Sequence, residues 1–201
     1  MRDPAANPAF SPLPPDAMLL LRRASSPPRL IAHLVLVHET ALQLIKRMDR
    51  AFPGLTYDRE AVLFGAAIHD IGKTVCTREL VESGGRNHLD CGLELLRKYG
   101  VPASLSRFAF THAGWASTPD LTLEDLLVAL ADKCWKDKRI EALETKTIGL
   151  LVFATGRPAW ECHAKLDEIL TGLGHGASAR IAWQASFRPQ NSIEGKARGT
   201  A

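Results

Sequence analysis

Residues 61–73 read AVLFGAAIHDIGK, eight apolar or small residues followed by a histidine, an aspartate and, two positions on, a glycine and a lysine. Asp58 just upstream is a good helix N-cap and Gly72 is a stop, so the spacing predicts a helix that is apolar on nearly every side and central to its domain. An ionised carboxylate closing such a helix costs free energy unless something compensates it, and a metal ion is one of the few groups that can. Adjacent positions differ by about 100° around a helix, which lets His69 and Asp70 turn toward one ion sitting off the helix end. A His-Asp dipeptide alone is a weak motif, and the plain alternative is an exposed helix-end pair.

Outward from that helix the apolar spacing stays helical, and runs of Val, Ile and Thr with period-two alternation are missing. The expectation is an all-α fold of about seven helices. The first runs from about Arg29 to Ala51, where Pro53-Gly54 ends it, and the central helix follows. Five more are expected near Asp90–Tyr99, Ala103–His112, Leu123–Trp135, Arg139–Ala154 and Pro158–Leu173. Thr122 with Asp125 resembles a capping box, and Gly100 then Pro102 marks a stop and a restart. Residues 1–28 hold seven of the twelve prolines and are expected to form a disordered arm. Residues 188–201 lack apolar periodicity and are expected to be a disordered tail, leaving residues 29–187 as the one folded domain.

Composition narrows the function classes. Hydrophobic residues at 46% and charged residues at 23% are ordinary globular values, excluding a rod, a collagen-like chain and wholesale disorder. No apolar run approaches the roughly 20 residues of a membrane-spanning helix, and no secretory signal is legible. The expectation is a cytoplasmic protein with no membrane partner. Four cysteines form no C-x-x-C pair, so reduced thiols are the default. A net charge of +3 without aromatic-basic interleaving gives no reason to expect a nucleic-acid partner, and nothing in the sequence reads out oligomeric state.

Two further residues join the pair. His38 lies on the inner stripe of the first helix, and Asp132 sits within the otherwise apolar LLVALADKCW stretch. Read together, His38, His69, Asp70 and Asp132 give the order H…HD…D, and over about residues 30–140 the chain resembles the HD-domain superfamily of metal-dependent phosphohydrolases. AAIHDIGK is the most specific stretch, and the resemblance implies that those four residues hold a divalent ion. His33, five residues before His38 and about 140° around the helix, is the alternative first ligand. His88 in NHLDCGLELL and His112 in FTHAGW stand where the binuclear branch of that superfamily places ligands for a second metal. The order NH…G…LL, then a helix ending in His, then LEDLLVALADK at residues 123–133, resembles the HD hydrolases that split symmetrical diadenosine tetraphosphate.

The resemblance implies a phosphorylated small-molecule substrate, expected to be a nucleotide. Mixed imidazole and carboxylate ligands suit Mn, Fe, Co, Ni or Zn, with Mg also considered, and a shared Asp70 is expected to bridge two ions and so to be catalytic. Such a centre activates a water and neutralises charge on a phosphoryl oxygen, so no protein nucleophile is required. Lys73, one turn past the pair, is expected to meet a substrate phosphate and assist catalysis, with Lys133 and Arg139 as weaker substrate-binding candidates. Trp115 is expected to pack over a loop. Two alternatives stand beside the hydrolase. One is a di-iron oxygenase built on the same six-ligand cage; the other is a non-catalytic, metal-stabilised binding module.

Overall fold

A computed structural model describes residues 3–7, 9–76 and 87–187. Among these residues the fold is all-α, as the periodicity predicts, with ten α-helical segments and two short 3-10 turns. Helices α1 (Pro15–Arg23), α2 (Pro28–Ala51) and α3 (Arg59–Ile68) come first. They are followed by α4 (Asn87–Lys98), α5 (Ala103–Ser106), α6 (Phe108–Gly114) and α7 (Leu123–Cys134). The last three are α8 (Glu141–Thr155), α9 (Ala159–Gly174) and α10 (Ala177–Ala185).

The long α2 begins on Pro28, where a missing N–H costs nothing, and its Leu34, Ala41, Leu44 and Met48 are fully buried. It packs on α3, α7 and α9, and buried side chains from these helices join a single core. The Asp58 carboxylate caps α3 by accepting from the Ala61 N–H at 2.9 Å. Gly65 lets α3 lie close to its neighbours, because a Cβ there would come within 2.7 Å of the Phe108 ring and 2.9 Å of Val128. The capping box expected at Thr122 and Asp125 is present at the start of α7.

Three expectations need correction. Within the described residues, the proline-rich arm is folded: a 3-10 turn at Pro4–Ala6 lies on α2, and α1 packs on α3 with Leu13, Ala17 and Leu21 buried. The described prolines stand before α1 or α2 or occupy the first position of one of them, where they are compatible with a helix, and Leu13, Ala17 and Leu21 have the i, i+4, i+8 spacing of one stripe. The helix expected over 103–112 is broken into α5 and α6 at Arg107, whose guanidinium reaches Asp125 at 3.0 Å. A tenth segment, α10, lies where the periodicity predicts no helix; Arg180 ties it down by donating to the carbonyls of Trp135 and Leu173 at 2.6 and 2.8 Å. The tail expected at 188–201 lies outside the described residues.

Candidate metal centre

Five helical elements bring polar side chains to one buried point. α2 supplies His33, the end of α3 supplies His69 and then Asp70, α4 supplies His88, α6 supplies His112, and α7 supplies Asp132. All six are buried, two of them carboxylates, in a place where charge needs a partner.

The donor atoms form two sets that share Asp70. His33 Nε2 lies 3.1 Å from Asp70 Oδ2, 3.4 Å from Asp132 Oδ1 and 3.3 Å from His69 Nε2. His69 Nε2 stands 3.7 and 3.6 Å from the same two carboxylate oxygens. On the other side, His88 Nε2 and His112 Nε2 face Asp70 Oδ1 at 3.3 and 3.4 Å. Ligand bonds of about 2.0–2.2 Å place neighbouring ligand atoms about 3.0 Å apart in an octahedron and about 3.4 Å apart in a tetrahedron. Within each set the separations lie at or slightly above those of neighbouring ligands on one ion.

The protonation pattern fits a cation as well. His69 Nδ1 donates to the Ala66 carbonyl at 3.0 Å and His112 Nδ1 donates to the Phe108 carbonyl at 3.1 Å. A carbonyl only accepts, so in the neutral ring each Nε2 carries a lone pair, and both lone pairs face the carboxylates. Burial pushes the His112 pKa down to about 4, which keeps that ring neutral at pH 7. Lone pairs turned on carboxylate oxygens repel unless a cation stands between them. Asp70 Oδ1 is also buried without a hydrogen-bond donor, an orphan acceptor that a metal would satisfy. The residues present thus fit a divalent ion.

Burial works to raise both carboxyl pKa values, yet both lie well below the usual range. Lys73 holds Asp70 down, and His33, with Lys133 beside it, holds Asp132 down. Burial alone would lower the His33 pKa, but its bonds to Asp132 and Asp70 raise it instead.

The first position of the expected set is corrected. His33, not His38, faces the cluster; His38 is buried elsewhere on α2 and makes no ion pair, hydrogen bond or ring contact with the other five among the described residues. The two are about 140° apart on the helix, so one face can present only one of them. His69, Asp70, His88, His112 and Asp132 are brought together as the order of residues implies.

Lys73 Nζ lies 2.6 Å from Asp70 Oδ2 and Lys133 Nζ lies 2.5 Å from Asp132 Oδ2, so both candidate substrate cations border the cluster. Arg139 does not point to it. Its guanidinium binds Glu144 at 2.7 Å and Asp167 at 2.8 Å and reaches Thr171, clamping α8 to α9, so the expected substrate role is corrected to a structural one. Trp115 is partly buried against the core. Sequence reasoning missed Trp135, whose ring packs edge-on against His33 with centroids 5.2 Å apart. Lys136 sits over that ring, and its pKa is lowered by burial and by the nearby Lys133, Lys138 and Lys73, against the pull of Asp132.

No described helix is long and apolar enough to cross a membrane. The profile of the HD-domain family matches residues 30–135, just over half of the chain. No curated protein and no solved structure matches it.

Proposed function

Because the chain belongs to the HD-domain family, a family of metal-dependent phosphohydrolases, we propose that it hydrolyses a phosphate ester or anhydride of a nucleotide at a centre of two divalent ions. The observation that supports this most is the position of Asp70, whose two oxygens face different donor sets. In this reading His33, His69, Asp132 and Asp70 Oδ2 hold one ion, while His88, His112 and Asp70 Oδ1 hold the other. Ions bound there supply a water of lowered pKa and neutralise charge developing on a phosphoryl oxygen. Ala66 and Phe108 fix the tautomers of His69 and His112 through their carbonyls, so those imidazoles need no reorganisation to serve as ligands. Lys73 and Lys133, with Lys136 and Lys138 close enough to influence one another, surround the carboxylates with positive charge that draws in a polyanion. The nucleotide assignment rests on the likeness of residues 87–96 and 123–133 to the hydrolases of diadenosine tetraphosphate.

The test is a panel of phosphomonoesters, mononucleotides and dinucleoside polyphosphates offered to protein loaded in turn with Mn, Co, Ni, Fe, Zn or Mg. Release of phosphate or mononucleotide by wild type, falling at least about a hundredfold in Asp70→Ala, is expected. No release from any substrate, with Asp70→Ala altering nothing, overturns the proposal. Iron together with substrate-dependent oxygen uptake would instead establish the oxygenase. A fold that melts on chelation while nothing is turned over would establish the binding module.

A further inference from the structure

The turn after Asp70 and helix α4 meet in a seam that has no side chain at its centre. A Cβ on Gly72 would lie 2.0 Å from the His88 carbonyl oxygen and 2.6 Å from the Gly92 nitrogen, so the two backbones are in contact there. Flanking that contact, Cys76 beyond the turn and Cys91 on α4 place their Sγ atoms 2.6 Å apart. This is only about half an ångström more than an S–S bond. Both thiols are partly exposed, whereas Cys134 and Cys162 are buried. Burial pushes the Cys134 thiol up to about 12, leaving almost no thiolate to react at neutral pH.

We propose that Cys76 and Cys91 form a redox modification site that closes to an intramolecular disulfide by exchange with a low-molecular-weight disulfide of the glutathione type. One thiol loses its proton, and its thiolate attacks a sulfur of the glutathione disulfide, giving a mixed disulfide and releasing one glutathione thiolate. The second cysteine, already in contact, then attacks the cysteine sulfur of that mixed disulfide and displaces the second glutathione. Two protein thiols are oxidised by two electrons, one glutathione disulfide is reduced to two thiols, and the two protons end on the departing glutathiones. The bond ties the Asp70 turn to the helix that carries His88, so that a covalent link supplements the packing that holds Asp70 Oδ1 and His88 Nε2 3.3 Å apart. The inference stands on the thiol geometry and is independent of the reaction proposed for the metal centre.

The full-length chain, reduced and then incubated with oxidised glutathione, is mapped by mass spectrometry after alkylation, and its melting is followed before and after dithiothreitol. Expected are the loss of two of the four thiols, a cross-linked peptide pair containing Cys76 and Cys91, and a melting temperature about 5–10 °C higher that reverts on reduction. Cys76→Ser and Cys91→Ser should each retain glutathione on the remaining cysteine, since no partner resolves it. Four intact thiols, a stable glutathione adduct on wild type, a cross-link between two chains, or closure without a change in melting would each overturn the proposal. None of these readouts depends on metal or turnover, so failure here leaves the hydrolase reading intact, and failure of that reading leaves this one intact.

Discussion

Replacing Gly72 by alanine adds one methyl group at the place where the metal-bearing turn and α4 touch. The new Cβ would stand 2.0 Å from the His88 carbonyl oxygen and 2.6 Å from the Gly92 nitrogen, and both obstacles are backbone. The two elements must therefore separate by about 1 Å or more, and no side chain can rotate away to relieve the clash. Overpacking of this kind costs about 1–3 kcal/mol, and a backbone-to-backbone clash belongs at the upper end. At about 2–4 °C per kcal/mol for a chain of this size, melting should fall by about 6–12 °C. His88 moves with the carbonyl it carries, so the donor set containing Asp70 Oδ1 should open and metal content should fall as well. Gly149→Ala is the matched control: Gly149 lies within α8, is exposed, and a Cβ added there would meet nothing within 4 Å. There the gain in helix propensity should stabilise by about 0.5–1 kcal/mol and raise melting by about 1–4 °C. Thermal unfolding followed by circular dichroism, with elemental analysis of the same samples, reads both outcomes. Unchanged melting for Gly72→Ala, or an equal loss for Gly149→Ala, would refute the reasoning.

Two further perturbations separate structural from functional roles. Burial lowers the His38 pKa to about 4, so as the pH falls below about 6.5 the unfolded chain takes up a proton that the folded chain refuses. Stability should therefore fall between pH 6.5 and 4, by up to about 3 kcal/mol from this group, and His38→Gln should flatten the slope in urea unfolding of the metal-free protein; an identical slope would contradict the assignment. Arg139→Ala removes the clamp between α8 and α9 and should lower stability by about 1–2 kcal/mol while leaving metal content and KM unchanged, whereas a raised KM at unchanged stability would restore the substrate role.

The central helix was legible because AVLFGAAI is apolar on every side, a composition that water tolerates only where a helix is surrounded. The pairing of His69 with Asp70, and the order in which His88, His112 and Asp132 follow, could likewise be read from the chain. The choice between His33 and His38 could not, because α2 is buried almost all round between Leu30 and Ala41, which leaves no single stripe to mark the inner face. α1 was hidden by its prolines, whose effect on a helix depends on whether they stand before it or inside it. Arg139 looked like a free cation beside Asp132 because Asp167, its second carboxylate partner, is 28 residues away in sequence. The contact between Cys76 and Cys91 depends on the meeting of Gly72 with Gly92, and a glycine in sequence announces no particular neighbour.

The most direct measurement is the metal bound per chain, by elemental analysis of protein purified without chelator, for wild type beside His33→Ala, His38→Ala and His88→Ala. The account predicts about two ions in wild type, a loss in His33→Ala and His88→Ala, and no loss in His38→Ala. Retention of both ions in His33→Ala with loss in His38→Ala, or no bound metal in wild type, would contradict it.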